Sequence, residues 1–429
     1  LGVATEASYA SGAVPNRWFE YKTESMKLSR AFLLSQQLRA GRLYTNSSRR
    51  SATTRSAAGA VSFEVPSAGL GPILNLLHGN TVVPAQQGGT AAYLQTHSIG
   101  ATDPYLRSLC MQIGKPTDLG VVQSYTYPGT VPTSVAFDCQ TGGFLECILT
   151  ADANDEQVTG AYEVDTLSLG AASAGSITYA ITWQGVTYTT AAIAYNASNA
   201  TVQAAMLAAT GPAAQVLPAG TITVTGGPLP AAITITYSGA MSGPVTGQNA
   251  VPTGLTGGTI AYGVTTAGAG GGPLGTAAYT AGLHSFNFVQ CAVAVNGVVQ
   301  PQARGCNLTI NTPRDTGRYY LGKTTKAVPL TNAYHSATAA VTVDYADNTL
   351  YNLFASAAVV PVTITYTGPV IAGAYTEMLQ FSIAAAGLDG DSPVVNGPGI
   401  LQQQIPLVVL DNGVTAPIVA TYVSVDTVL

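Results

Sequence analysis

A strand followed by a helix occurs twice in this chain, with the same spacing between corresponding residues. The first copy is an alternating strand at 60–65 and a helical pattern at 70–77, and the second is a strand at 340–345 and a helical pattern at 350–357. Alternation is typical of a half-buried strand, and apolar residues at i, i+3, i+4 and i+7 indicate one face of a helix. Because the spacing is kept, the sequence predicts an internal duplication.

Capping residues are predicted for both helices. Ser67 precedes the first helix, His78 falls in its last turn and Gly79 follows it. Asp347 or Asn348 precedes the second helix. Such side chains accept hydrogen bonds from the free N–H groups of a first turn, and glycine readily ends a helix. We therefore expect each helix to begin near its capping residue and to bury one face against a sheet.

The segment of about thirty residues before the first copy is expected to form a long polar arm without regular structure. A loop of that length in a compact domain is usually functional or disordered. The arm has no acidic residue, and its arginines are Arg30, Arg39, Arg42, Arg49, Arg50 and Arg55. We expect these residues to contact the acidic surface of another copy of the chain. Nucleic acid is the less favoured partner, because its binding grooves usually add aromatic residues and the arm offers mainly Tyr44.

Composition favours a mainly β protein. Only 9% of the residues are charged, and the chain has 47 Gly and 24 Pro. This is typical of turn-rich β proteins and excludes helical and disordered classes. The 429 residues exceed what one core usually serves, so two or three domains are expected. No apolar run approaches the length of a membrane span, and no membrane association is expected.

A tract without Asp, Glu, Lys or Arg extends from Thr166 to Ala303. It contains a hairpin at 177–188, a short helix capped by Ser198, and further strands, which together predict a small α+β module. Gly/Ala-rich stretches at 170–175 and 267–275 are expected to be linkers. The predicted domains are an N-terminal half (1–164), a middle module (165–277) and a C-terminal half (278–429).

Two further hairpins are predicted after the middle module. Asn296-Gly297 between two apolar runs is a strong signal for a tight turn. At the C-terminus, a run at 407–410, the turn residues 411–413 and a run at 418–425 predict a second hairpin.

Residues with catalytic or metal-binding potential are sparse. The four histidines lie in separate segments, and Gly390-Asp391-Ser392 is better interpreted as a turn than as the nucleophile of an esterase. Asp389 and Asp391 lack the remainder of a cation-binding loop. The five cysteines form no Cys-x-x-Cys and are expected to be reduced, partly buried thiols. The sequence therefore predicts no enzyme, no cofactor and no metal.

Four segments occur in a distinctive order along the chain. They are Leu1 to Glu6, Trp18 to Arg30, Leu38 to Arg42, and Ala416 to Asp426. In this order the chain resembles the major tail tube proteins of long-tailed, non-contractile bacteriophages (siphovirus type), over roughly residues 1–160 and 280–429. The middle module resembles Thr/Gly-rich decoration domains carried on phage structural proteins.

The resemblance implies two tandem β-sandwich or β-barrel domains of the tail tube type, each with a flanking helix, separated by the small α+β module. It implies rings with a continuous β-barrel as inner wall, stacked into a virion tube that is assembled in the host cytoplasm and conducts genomic DNA without sequence specificity. Tape measure and tail terminator proteins are the implied partners. The arm would reach the next ring.

The duplication adds an expectation about ring stoichiometry. The resemblance implies a ring of six single-domain units, so if each half supplies one wall unit, three chains close the ring with pseudo-sixfold symmetry. A ring of six full-length chains is the alternative. Two other classes of protein stay open at this point: a bacterial surface-array or adhesin-type β-rich protein, and an enzyme such as an esterase. Electron microscopy of the purified protein distinguishes tubes or rings from monomers.

Overall fold

The structure is a computed structural model. It describes residues 1–37, 40–41, 43–77, 82–100, 107–116, 122–158, 163–183, 186–212, 215–217, 221–238, 241, 245–266, 277–390, 392–395 and 397–429. Strands account for 52% of the chain and helices for 8%, so the prediction of a mainly β protein is confirmed.

The N-terminal half contributes one short helix, α1 (Gly71–Leu76), and a 3₁₀ turn at Ser47–Arg49. Its strands are β1 (Gly2–Thr5), β2 (Arg17–Trp18), β3 (Thr23–Glu24), β4 (Lys27–Leu34), β5 (Arg50–Glu64), β6 (Ala85–Gln86), β7 (Tyr93–Ile99), β8 (Leu109–Pro116), β9 (Val122–Gln140), β10 (Glu146–Ala153) and β11 (Gln157–Val158).

The middle module contains helix α2 (Asn199–Leu207). Its strands are β12 (Val164–Ser168), β13 (Ala174–Trp183), β14 (Val186–Thr189), β15 (Ile193–Ala194), β16 (Ile222–Gly226), β17 (Ile233–Tyr237), β18 (Thr246–Thr256) and β19 (Ala261–Thr266).

The C-terminal half contains helix α3 (Thr349–Ala355) and a 3₁₀ turn at Phe288–Gln290. Its strands are β20 (Cys291–Val295), β21 (Val298–Val299), β22 (Ala303–Asn311), β23 (Ser336–Asp344), β24 (Val359–Ala372), β25 (Tyr375–Leu388), β26 (Gln402–Val409) and β27 (Ile418–Ser424).

The same order of antiparallel strand pairings occurs in both halves. In the N-terminal half the order is β2-β1-β8-β9-β10-β5-β4, and β11 also pairs with β9. In the C-terminal half it is β21-β20-β24-β25-β26-β23-β22, and β27 also pairs with β25. In each half the helix follows the strand that corresponds to β5, and the hairpin of β6 and β7 is an addition to the first set.

The two halves are joined by strand pairing and by a common core. β22 pairs with β9 from Gly305 opposite Gln140 to Asn311 opposite Ser134, and β27 pairs with β7 over its whole length. One cluster of buried side chains contains residues from both halves. Within it the rings of Phe137 on β9 and Phe381 on β25 have centroids 4.7 Å apart. The sheets of the described residues are not closed into a barrel.

The middle module has its own core between two small sheets. One sheet has the order β16-β17-β12-β19, and in the other β13 pairs with β14, β15 and β18. The predicted hairpin is confirmed, because β13 pairs with β14, and the further predicted strands form the pair β16 and β17. The Ser198 cap is also confirmed, since its side chain accepts a hydrogen bond from Thr201 N at 3.2 Å. The predicted linker at 170–175 is instead a turn within the module, where Ala172 packs in the core. The second predicted linker and the turn Gln184-Gly185 lie outside the described residues.

The local prediction of helix starts is only partly correct. Helix α1 begins at Gly71, and its first residues have no side-chain cap. Ser67 is held elsewhere, because its backbone N donates to His284 O at 2.7 Å and its hydroxyl accepts from His284 N at 3.3 Å. Before α3, Asp347 Oδ1 accepts from Thr349 N at 2.7 Å, whereas Asn348 makes no cap. His78 and Gly79 lie outside the described residues.

The two late hairpin predictions have different outcomes. Val295 and Val298 pair across Asn296-Gly297, and both turn residues have positive φ, as this tight turn requires. The C-terminal hairpin is wrong: β26 and β27 each pair with β25 instead of with each other. A neighbouring strand that offers a free edge has replaced the local partner.

Candidate assembly surface

The predicted polar arm is a projecting β-hairpin. β4 pairs with β5 from Lys27 opposite Ala58 to Leu34 opposite Arg50, with a register shift between Arg30 and Phe32. All eight residues of β4 are exposed. The expectation of an arm without regular structure is wrong for these strands, because all eight residues of β4 lie along the Thr/Ser/Ala-rich first part of β5 and form a regular antiparallel pair with it.

The hairpin carries apolar side chains that the sequence interpretation overlooked. Ala31-Phe32-Leu33-Leu34 is an apolar run, and Leu33 is 66% exposed. Leu43 and Tyr44, at the tip, are also exposed. The expectation of a polar arm is therefore wrong, and this short run was the sequence signal for the apolar side chains. Clustered exposed apolar residues mark interaction sites more often than isolated ones do.

Two of the predicted arginines flank Phe32. The guanidinium carbon of Arg50 is 3.5 Å from the ring centroid, and that of Arg30 is 5.9 Å from it. Arg49 donates to Gln37 Oε1 at 2.6 Å. Among the ion pairs of the described residues, none contains Arg30, Arg49 or Arg50. The structure thus brings two cations against one aromatic ring on an exposed strand pair, with Arg49 in the turn that precedes β5.

Arg55 differs from the other arginines. Its Nε donates to Asp155 Oδ1 at 2.6 Å, its Nη2 donates to Glu156 O at 3.1 Å, and its backbone N donates to Thr324 O at 2.8 Å. Burial raises the pKa of Asp155, and the Arg55 guanidinium opposes that rise. The expectation that the arm lacks a local counter-charge is therefore wrong at Arg55, because folding brings Asp155 beside it. Arg39 and Arg42 lie outside the described residues.

The base of the hairpin adjoins the connection between β22 and β23. This connection also exposes large apolar residues, of which Leu321 and Tyr334 are nearly fully exposed. It is anchored to the N-terminal half where Lys326 Nζ bonds Asp152 Oδ1 and Asn154 Nδ2 donates to Lys326 O at 2.7 Å.

Two of the histidines have polar partners of their own. His97 is buried and bonds Gln95 Oε1 at 3.2 Å, and His284 Nδ1 is 3.6 Å from Glu377 Oε1. The described residues contain no group of three side chains placed to hold a metal ion. Asp391 lies outside them, so the Gly-Asp-Ser turn is not tested. No helix in the described part of the chain is long and apolar enough to cross a membrane.

The clefts of the described structure are open to solvent, and both apolar and charged side chains line them. One, of about 420 Å³, is lined by aromatic residues such as Trp18 and Tyr279 and by Glu20, Lys22 and Glu64. Lys22 is engaged in an ion pair with Glu146. A second cleft, of about 330 Å³, contains His335 and Asp411 among mostly apolar neighbours.

Neither a scan of protein-family models nor a search of curated proteins finds a match for this chain. The candidate surface therefore rests on the geometry above.

Proposed function

We propose that this chain is a virion structural protein that polymerises into stacked rings and forms the tail tube of a long-tailed, non-contractile bacteriophage. The observation that carries the proposal is the strand order that occurs twice, combined with an exposed hairpin at one edge. In this proposal the halves are two tandem wall units of the tail tube type, and the protein is not an enzyme. Genomic DNA passes through the lumen of this tube. The tape measure and tail terminator proteins are the partners of this chain in the virion.

The unequal coverage of corresponding edge strands supports self-assembly. β22 takes the place in the C-terminal half that β4 takes in the N-terminal half, and the outer edge of β22 is covered by β9. In the described chain β4 pairs with β5 alone, so its outer edge has no strand partner. An uncovered edge is a template for pairing with another chain. If a strand of a second copy pairs with the outer edge of β4, that contact between two chains resembles the pairing of β9 with β22 within one chain.

The ring stoichiometry is the first prediction. Because one chain supplies two sets of strands, we expect three chains per ring with pseudo-sixfold symmetry. Mass measurement of isolated rings and the rotational symmetry of end-on electron micrographs check this result. Rings of six full-length chains would refute the use of the duplication, and a protein that stays monomeric at high concentration would refute the tube itself. Projections of tubes that show three middle modules per ring would agree with three chains per ring.

The second prediction concerns the hairpin arginines. Replacing Arg30, Arg49 and Arg50 with Ser should leave the subunit folded, because none of them is in an ion pair of the described chain. If each pairs across a subunit contact at about 0.2–1 kcal/mol, their joint loss raises the critical concentration for polymerisation by roughly ten-fold. Sedimentation of tubes over a series of protein concentrations measures this critical concentration.

The matched control for the hairpin variant is Arg304→Ser. Arg304 is an exposed arginine whose Nε and Nη2 bond the Asp344 carboxylate of its own chain, at 2.5 and 2.8 Å. The control should polymerise at the wild-type concentration. An unchanged critical concentration for the triple variant would remove the arginines from the proposed contact.

A further inference from the structure

Three cysteines and a tyrosine meet where the two halves join. Cys139 on β9 is directly opposite Cys306 on β22 in the strand pairing. Cys291, on β20 of the same large sheet, has its Sγ 3.7 Å from Cys306 Sγ. Tyr366, the partner of Cys291 in the pairing of β20 with β24, has its hydroxyl 3.2 Å from Cys306 Sγ. Cysteines from three separate strands therefore form one thiol cluster.

Solvent reaches this cluster through a small cleft. The cleft has a volume of about 150 Å³, and all three cysteines line it together with Gln140, Gln300 and Arg304. Cys291 is partly exposed, whereas Cys139 and Cys306 are buried. A reagent that enters the cleft therefore meets Cys291 first.

The thiols differ in their tendency to ionise. The contact with the Cys306 thiol lowers the pKa of Cys291, while the same contact and burial raise that of Cys306. Burial raises the pKa of Cys139 to about 11. A thiolate is the attacking species in thiol chemistry, so the partly exposed Cys291 is also the better nucleophile.

We propose that Cys291 and Cys306 are a dithiol that a small-molecule disulfide oxidises to an intrachain disulfide connecting β20 to β22. The sulfur atoms must approach from 3.7 Å to about 2 Å, a movement within reach of side-chain rotation. Cys139 is the bystander, because its thiol makes no comparable contact with Cys291 among the described interactions. No role in assembly is required, and the inference does not rest on the proposed function.

The reaction consists of two exchange steps. The Cys291 thiolate attacks one sulfur of the small disulfide, which forms a mixed disulfide on Cys291 and releases one small thiolate. The Cys306 thiol then loses its proton and attacks the Cys291 sulfur, which forms the Cys291–Cys306 bond and releases the second small thiolate. The two cysteines are oxidised, and the small disulfide is reduced to two thiols.

The test uses the full chain and oxidised glutathione. Peptide mapping by mass spectrometry without reduction should find Cys291 joined to Cys306 in the wild-type protein, with the loss of two hydrogens and no retained glutathione. Cys139→Ser should give the same product. Cys306→Ser should retain one glutathione on Cys291, because the second step lacks its attacking thiol, and Cys291→Ser should form no bond at this site.

Three outcomes would overturn the proposal. They are a bond between Cys139 and Cys306, a wild-type protein that retains glutathione on Cys291, and no reaction of Cys291 under conditions that keep the chain folded. The wild-type map identifies the bonded pair without any variant, so the test stands if a substitution impairs folding. The oxidised wild type should also unfold at a higher temperature than the reduced protein, because the bond restricts the unfolded chain, and a reducing agent should reverse the shift.

Discussion

Replacing Lys326 with Met is expected to lower the free energy of unfolding by about 3–5 kcal/mol at neutral pH, because the variant leaves a buried carboxylate without its cation. The Lys326 side chain is 2% exposed and bonds Asp152, whose side chain is 7% exposed. Lys326 bonds Oδ1 of this carboxylate, and the second oxygen, Oδ2, has no hydrogen-bond partner in the described structure. The pair also holds the connection between β22 and β23 against the N-terminal half. Urea unfolding measures the loss.

The pH dependence of this variant has a defined sign. Burial raises the pKa of Asp152 above its ordinary value, and the bond and charge of Lys326 oppose that rise. Removing the cation raises this pKa further in the folded state. A raised folded-state pKa favours the protonated form, so the associated stability is present at low pH and lost as the pH rises through that pKa. The deficit of the Lys326 variant should therefore shrink on acidification.

Lys323→Met is the matched control for the buried pair. Lys323 lies in the same connection but is exposed, and exposed substitutions usually change stability by less than about 0.5 kcal/mol. Replacing Asp152 with Leu together with Lys326→Met should cost less than Lys326→Met alone, since no charge then stays buried. If Lys326→Met matches the Lys323 control, the pair is not a major determinant of stability.

Replacing Asp165 with Asn is expected to remove a pH-dependent loss of stability in the middle module. Asp165 is 0% exposed, and among the ion pairs of the described residues none contains its carboxylate. Burial raises its pKa from 3.8 to about 6; the Glu163 carboxylate adds to the rise, and the nearby Tyr262 and Tyr237 hydroxyls oppose it. The associated stability is present below about pH 4 and lost as the pH rises through about 6, up to about 3 kcal/mol.

The two tryptophans allow this effect to be measured in the whole chain. Trp183 lies in the middle module and Trp18 in the N-terminal half. In a Trp18→Phe background, the fluorescence of Trp183 reports unfolding of the module alone. Asp165→Asn should flatten the stability profile between about pH 4 and 6 and raise stability at neutral pH. Asp411→Asn, at an exposed site of the C-terminal half, should keep the wild-type slope. Equal slopes in both variants would exclude Asp165 as the cause.

The sequence by itself determined the features that short-range interactions specify. The composition predicted a mainly β protein, Asn296-Gly297 specified a tight turn, and Ser198 specified the start of α2. The arginines of the hairpin were found as an unbalanced charge in a segment without acids. Each of these depends on residues within a few positions of one another, so the pattern is visible in the chain before it folds.

The tertiary structure decided which distant segments meet. β26 and β27 pair with β25 instead of each other, Ser67 bonds the backbone of His284 instead of capping α1, and the apolar run near Phe32 becomes an exposed strand. Arg55 acquires Asp155 as a counter-charge, and three cysteines from separate strands form one cluster. Strand edges and buried charges are satisfied by whichever partner the whole fold places beside them. Local sequence patterns do not show which segments become partners, because the partners can be more than a hundred residues apart, as Ser67 and His284 are.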